Sequence, residues 1–371
     1  MDHVLVTGGA GFIGSHTTRR LLALGLKVRV LDALRPPVHE PGAAPDLPAG
    51  AELRVGSVED PVAMASALRG VDAVLHVAAY QDYLTDFSTF YRVNAVSTAL
   101  LYELIVRERL PVRRVVFAAT QAEYGEGPYR CAEHGVVYPD QRSSRQLVAR
   151  QWDLVCPTCG RAMEPVPARE EVVRPQSTYA MSKRAAEELA LVLGARHDIP
   201  TIALRYSIVQ GPGQSFRNAY SGALRAFTVQ ALHAHRPLLY EDGLQQRDYV
   251  WIGDVVAANV LGLTSPDLEF GTFNVGGDRT VTVRQLADMV IEAAETDVTP
   301  DLPGIYRVGD TRHISSDVSR LRALGWSPTM DQRSIVRAYV DWARAQPGLS
   351  DTYEAARRHM EALGVLKAVP A

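Results

Sequence analysis

Apolar positions in the first half of the chain gather into short, β-branched runs: Val4–Val6, Val28–Leu31, Leu53–Val55, Ala73–His76 and Val115–Ala119. Between them, Ser15–Leu24, Pro61–Leu68 and Asn94–Glu108 place apolar residues three and four apart, the period of a helix with one buried face. Solidly apolar strands separated by helix-length segments predict an α/β fold, a Rossmann-type doubly wound parallel sheet covered on both faces. Two segments break the rhythm. Pro36–Ala51, rich in Pro, Ala and Gly, reads as a surface loop, and Gly125–Pro175 sustains no period and reads as an insertion. After about residue 205 the pattern becomes mixed, which predicts a smaller mixed α/β substrate lobe over the carboxyl ends of the strands. The expected division is 1–204, with an insert at 126–174, and 205–371, of which about 248–275 returns to the first domain.

Composition narrows the function. Of 371 residues, 47% are hydrophobic and 22% charged, and the net charge is −3, so no basic field favours nucleic acid or an anionic membrane. The longest apolar runs are strand-length, and the first strand starts at His3, leaving no room for a signal peptide; the expectation is a cytoplasmic protein. Three cysteines are too few for a disulfide framework in a chain of this size.

Thr7-Gly8-Gly9-Ala10-Gly11-Phe12-Ile13-Gly14 follows a strand and opens a helix. Side chains at Gly8 and Gly11 would block the tight turn or the approach of a pyrophosphate, and Gly14 lets helix and strand pack closely. The helix start then offers free N–H groups and a positive dipole end to a diphosphate. Asp32, closing the second strand, suits two ribose hydroxyls and repels a 2′-phosphate, so NAD is expected rather than NADP, with nearby Arg35 the one feature on the other side.

A second constellation lies further on. Tyr179 and Lys183 are four apart near the start of a helical stretch running to about Leu193, hence on one face. An isolated Tyr-x-x-x-Lys is common on solvated helices. Here it accompanies a dinucleotide turn and Thr120, at the carboxyl end of the strand Val115–Ala119. A neighbouring ammonium lowers a phenol's pKa toward the range where it can act as a base, and the Thr120 hydroxyl could bridge a substrate hydroxyl to Tyr179.

Together with TGGAGFIG at 7–14, these segments make the chain resemble the extended short-chain dehydrogenase/reductases that modify nucleotide sugars: His76-Val77-Ala78-Ala79, Asn94, FAATQAEYG at 117–125, YAMSK at 179–183, LRYSIVQGPGQ at 204–214, RDYVWIGDV at 247–255, FNVGG at 273–277 and Gly309-Asp310-Thr311-Arg312. The resemblance spans nearly the whole chain. It implies that Thr120, Tyr179 and Lys183 are catalytic. It also implies that Phe12, Ile13, Ala33, Val58, Val77, Ala78, Ala79, Asn94, Tyr179 and Lys183 join the glycine turn around NAD, and that Arg247 and Arg312 grip the substrate diphosphate. Arginine's planar fork suits that task, although a surface ion pair would explain each arginine alone.

Similar 4,6-dehydratases carry Asp then Glu after the Thr, and similar decarboxylases carry Glu at the second place; here Gln121 and Ala122 stand there. No cysteine sits beside Thr120, as 3,5-epimerising relatives would need. What remains is NAD-dependent epimerisation at C4 of a UDP- or dTDP-linked sugar. The alternatives are a 4-ketoreductase or dehydrogenase with net cofactor turnover, a 4,6-dehydratase, or a cofactor-sensing protein without turnover. Ile208, Gly213 and Ser57 depart from the Asn, Arg and Asp of similar chains, and Asn218 is the candidate to replace the missing phosphate contact. The helices Asn94–Glu108 and Thr178–Leu193 match those that pair in similar homodimers.

The insertion, much longer than similar chains carry at this place, contains Cys131-Ala132-Glu133-His134 and Cys156-Pro157-Thr158-Cys159-Gly160. A Cys-x-x-His pair and a Cys-x-x-Cys pair supply the four ligands of a closed, structural zinc site: Cys131, His134, Cys156 and Cys159. Metal would provide folding energy that a segment so poor in apolar residues lacks. Free thiols beside an incidental His, or a redox Cys-x-x-Cys, are the competing readings.

Overall fold

The computed structural model describes all of residues 1–371 except 37, 41, 43, 83, 216–221, 348, 350–352, 370 and 371. Seven strands form the central sheet: β1 (His3–Thr7), β2 (Lys27–Asp32), β3 (Glu52–Val55), β4 (Ala73–His76), β5 (Val115–Thr120), β6 (Thr201–Tyr206) and β7 (Phe270–Val275). Their order is β7-β6-β5-β4-β1-β2-β3, and all pairings are parallel. The doubly wound sheet is thus the one expected. Its order reverses between β1 and β4, where Thr7 pairs with His76, and such a switch point opens a crevice at the strands' carboxyl ends.

Alternation along the strands splits the core in two. Val4 and Val6 pack with Leu21, Val255 and Ala258 on one face, whereas Leu5 packs with Met64, Leu101, Ala186 and Ala190 on the other. Helices Phe12–Ala23 and Ile252–Thr264 therefore cover the first face, and Pro61–Leu68, Ser97–Arg107 and Thr178–Arg196 the second. The helix expected from Asn94 opens instead as a π-helical stretch, Tyr91–Val96, before becoming α-helical. This wide turn delivers the Asn94 amide to Ser182 Oγ at 2.9 Å and to the Tyr80 carbonyl at 3.0 Å.

A third core lies in the second lobe, where helices Gly222–Leu232, Val283–Ala294 and Gln332–Arg344 bury Phe227, Leu286, Val290, Val336 and Tyr339. They back a mixed three-stranded sheet of Ile208–Gln210, Gln246–Trp251 and Thr280–Thr282. The insertion has structure that its sequence did not announce. Tyr129–Cys131 pairs antiparallel with Gly135–Val137 and with Glu164–Pro165, and a short helix spans Ser144–Val148. Strands of two or three residues are too short to leave a period. Among the described residues, no helix is long and apolar enough to cross a membrane.

Gly14 shows how tightly the first turn is closed. A Cβ there would lie 2.2 Å from the Gly8 carbonyl oxygen and 2.5 Å from Gly9 Cα, both backbone atoms with nowhere to go. Gly14→Ala is expected to destabilise the protein by about 1–3 kcal/mol, as overpacking does, and to abolish tight dinucleotide binding. Thermal denaturation and calorimetric titration with NAD check this, and a variant equal to the parent in both would contradict it.

Candidate active site and metal cluster

The dinucleotide turn occupies the switch point. Gly8 takes φ +65°, and a Cβ on it would strike Ala78 Cα at 2.7 Å, so β1 and β4 approach here as only glycine allows. The helix starting at Phe12 has Gly11 as its N-cap, no side-chain cap and no acidic residue in its first turn. Its first N–H groups suit an anion. Asp32 Oδ2 accepts from the Ala10 N–H at 3.0 Å and Oδ1 from the Leu34 N–H at 2.9 Å, while His39 Nε2 stands 3.4 Å away. Burial alone would raise this carboxyl's pKa, but the bonds from His39, Leu34 and Ala10 outweigh it and hold the group below the usual carboxylate range. The cradle thus fits a dinucleotide whose ribose meets an ionised acid. Phe12, Ile13, Ala33, Val77 and Ala78 are half-buried, Val58 is buried and Ala79 is exposed. The Asn94 amide braces Tyr80 and the helix carrying Tyr179. Ser57 Oγ bonds to Glu59.

At the edge of β5, the Thr120 hydroxyl accepts from the Ala122 N–H at 3.2 Å and caps the short turn Gln121–Tyr124. Tyr179 lies in the first turn of helix Thr178–Arg196, whose N-cap Ser177 accepts from the Ala180 N–H at 3.2 Å. One turn on, Lys183 is buried with its Nζ 4.3 Å from the centre of the Phe117 ring, on the strand that ends in Thr120. Helix and strand therefore bring Thr120 and Lys183 to one edge, with Tyr179 on the lysine's face of the helix. Burial lowers the Lys183 pKa to about 8, against the opposing pull of Glu123 and Glu187, so its ammonium persists at neutral pH. His76 stays neutral: burial, seconded by Lys183, drives its pKa to about 3, and its Nδ1 lies 2.7 Å from Thr7 Oγ1.

Beneath this edge lies a charge network that reading the sequence missed. Arg205 on β6 is fully buried and donates to Glu187 through Nε at 2.9 Å and Nη2 at 2.6 Å, and through Nη1 to Tyr124 Oη and the Glu170 carbonyl. Glu123 is enclosed beside it, 3.5 Å from Arg205 Nε. Burial and the like charge of Glu187 push its carboxyl above the usual carboxylate range, against the pull of Arg205 and Lys183. Two signals were available: an arginine inside the otherwise apolar strand Thr201–Tyr206, and a glutamate four residues after Lys183.

The second lobe brings Arg247 and Arg312 together, with Arg247 Nη1 donating to the Arg312 carbonyl at 3.1 Å. Arg247 Nη2 also meets Asp310 Oδ2 at 3.2 Å, and Arg307 Nη2 meets the other oxygen at 2.6 Å. The two arginines hold Asp310 ionised down to a pKa of about 2, against the effect of burial. The expectation that Arg312 grips a diphosphate meets a different geometry. Its guanidinium is buried and bonded to Asp153 at 2.8 Å, bidentately to Asp242 at 2.7 and 2.8 Å, and to Glu241 at 3.3 Å. Every nitrogen already has a carboxylate, so an incoming phosphate would have to displace one. Arg307 was not singled out from the sequence, and Asn218 lies outside the described residues.

In the insertion, Cys131, His134, Cys156 and Cys159 converge, with all four ligand atoms within 4.8 Å of one another. Cys131 Sγ is 3.6 Å from His134 Nδ1 and 3.7 Å from Cys159 Sγ, and Cys156 Sγ is 3.6 Å from His134 Nδ1. A tetrahedron with metal–sulfur bonds of about 2.3 Å has edges of about 3.8 Å, so these spacings fit one central ion. They are far too long for a disulfide. Gly160, at φ +71°, turns the chain behind Cys159 and donates to the Cys156 carbonyl at 2.8 Å.

Residues 4–143 and 156–276 match the profile of the NAD dependent epimerase/dehydratase family, and the break between them falls inside the insertion. The chain is 35% identical over 332 residues to a dTDP-L-rhamnose 4-epimerase of Burkholderia thailandensis, covering 88% of this chain and 90% of that protein. It is 28% identical over 364 residues to a UDP-glucose 4-epimerase of Azospirillum brasilense, with 92% of each covered. Among solved structures it resembles the Thermus thermophilus UDP-glucose 4-epimerase complex with NAD, at 31% identity and a TM-score of 0.72 over 93% of this chain and all of that one. It likewise resembles the Thermotoga maritima UDP-glucose 4-epimerase with UDP-glucose, at 26% identity and a TM-score of 0.74 over 92% of this chain and 98% of that one.

Proposed function

Because the chain belongs to the NAD dependent epimerase/dehydratase family, we propose that it inverts C4 of a UDP- or dTDP-linked sugar through a transient 4-keto sugar. The observation that carries this reading is the edge of β5. Thr120 and the Tyr179/Lys183 helix meet there, while Gln121 and Ala122 occupy the places where elimination would need an acid and a base. The acid that does follow, Glu123, is enclosed against Arg205. The 4-epimerases among the relatives support the same reaction.

NAD, when bound, supplies the hydride acceptor and donor. Tyr179 takes the C4 hydroxyl proton as a phenolate and, once the flat 4-keto sugar has turned over to present its other face to the nicotinamide, returns that proton to the C4 oxygen. Lys183 and the positive end of its helix favour the phenolate. Thr120 bridges the sugar hydroxyl to the tyrosine. Arg247 anchors the diphosphate, with Arg312 contributing if it exchanges a carboxylate for phosphate, so the sugar itself can turn over. Net turnover of nicotinamide would mark the ketoreductase alternative.

We place a structural zinc ion on Cys131, His134, Cys156 and Cys159, where all four positions are filled by protein. We also assign a homodimer formed through the helices Ser97–Arg107 and Thr178–Arg196. Exposed Val96, Met181 and Val192 on or beside them support that reading. The reducing cytoplasm suits thiols kept free for a metal.

Three measurements follow. Incubation of the NAD-loaded protein with UDP- and dTDP-hexoses is expected to yield the C4 epimer without net nicotinamide absorbance change, and turnover should fall as pH rises through about 8, where Lys183 loses its charge. Tyr179→Phe should lower kcat by at least about a hundredfold while retaining NAD. A stable keto product, a dehydrated product or an active Phe variant would contradict the reading. Metal analysis of purified protein should find about one zinc per chain, consistent with a four-ligand site; a content far below that in folded protein removes the assignment.

A further inference from the structure

The insertion does more than sit on the surface, because its side chains pass into the second lobe at the loop between Arg307 and His313. Arg142 is one of them, with a side chain 1% exposed. Its Nη1 donates to Glu241 Oε2 at 2.7 Å and to the Trp152 carbonyl at 3.2 Å, and its Nη2 donates to the Asp310 carbonyl at 2.7 Å. Its Nε stands 3.8 Å from Glu126, whose other oxygen accepts from the Arg312 N–H at 2.8 Å. Asp310 is the residue whose carboxylate is shared by Arg247 and Arg307. Fixing its peptide from behind therefore fixes both cations in front. From the same segment, Asp153 reaches Arg312 Nε at 2.8 Å.

The segment that carries these two residues is tied to the metal cluster. Arg142 and Trp152 close a loop on themselves, Gln146 Nε2 bonds to the Asp153 carbonyl at 3.1 Å, and Cys156 follows three residues after Asp153. At the other end of the cluster, Cys131 ends the strand whose Tyr129 ring lies 6.3 Å from that of His313. The four-ligand cluster thus clamps both flanks of a loop that presses on the arginines.

We propose that Arg142 is a positioning residue for substrate phosphate, through which the metal-bearing insertion sets the placement of Asp310 and hence of Arg247 and Arg307. This rests on the reading of the substrate as a nucleoside diphosphate sugar. Nothing in it requires the insertion to touch the sugar or the nicotinamide, so the consequence falls on binding rather than on the hydride step.

The test uses the full-length, NAD-loaded, zinc-containing protein, with UDP and dTDP titrated calorimetrically and kinetics measured on the best nucleotide sugar. Arg142→Met is expected to weaken nucleoside diphosphate binding and raise KM by about tenfold or more, while kcat stays within about threefold. Arg142→Lys should recover part of the loss, and NAD affinity should not change. Removing the metal with a chelator should weaken nucleoside diphosphate binding similarly, and do little more to the Met variant, because the two losses share one path. Should Arg142→Met fail to fold, Arg142→Lys, which keeps the charge but cannot reach Glu241, the Trp152 carbonyl and the Asp310 carbonyl together, should by itself raise the diphosphate Kd by a smaller factor. Unchanged diphosphate binding in the folded variants, an equal loss in kcat, or additive effects of metal removal and Arg142→Met would overturn the proposal. A parent protein that binds neither UDP nor dTDP would instead overturn the substrate reading itself.

Discussion

An ammonium kept from water one helical turn from a phenol is the constraint on which the proposed active edge depends. Lys183 is buried over the Phe117 ring one helical turn from Tyr179, a place that penalises its charge. Two features let the charge survive. The glutamates 123 and 187 oppose the effect of burial, and the helix places the phenol, its natural counter-charge once ionised, on the same face. A cation already desolvated is a stronger partner for a developing phenolate than one in water, since the effective dielectric is lower. The cost is borne by the protein's folding rather than by the reaction.

The second lobe follows the same logic with opposite polarity. Arg247, Arg307 and Arg312 are gathered in a partly dry pocket and kept there by Asp310, Asp242, Asp153 and Glu241. Buried guanidinium groups without acceptors would be prohibitive, so the carboxylates make the cluster possible and also define which cations can turn toward an incoming phosphate. Arg312, with a carboxylate on each nitrogen, is the most committed to the protein itself. Charge thereby joins the two lobes alongside their apolar contacts, with Arg142 of the insertion inside the joint.

Local features were readable from residues alone. The glycine turn, Asp32, the Tyr179/Lys183 pair and the apolar strands each depend on neighbours a few positions apart, and the pattern carries them directly. The cysteine pairs were readable too, because chelation demands short spacings, and the structure brings all four ligands together. What escaped depends on distant segments meeting. Arg312 reads as a free phosphate ligand until Asp153, 159 positions away, and Asp242, 70 positions away, close around it. Glu123 gains its setting only where β6 and the helix Thr178–Arg196 bury it against Arg205 and Glu187. The three short strands of the insertion have too few residues for a period.

The direct test of the central claim is an ultraviolet difference titration of phenol ionisation in the NAD-loaded protein, comparing the parent with Tyr179→Phe and Lys183→Met. Burial pushes Tyr102, Tyr124, Tyr129, Tyr206, Tyr249 and Tyr339 well above the ordinary range, so they stay silent where Tyr179 is expected to titrate. The account predicts one phenol ionising clearly below the usual value of about 10 in the parent, absent in the Phe variant and displaced upward in the Met variant. A Tyr179 that ionises at or above the ordinary value, indifferent to Lys183, would contradict it.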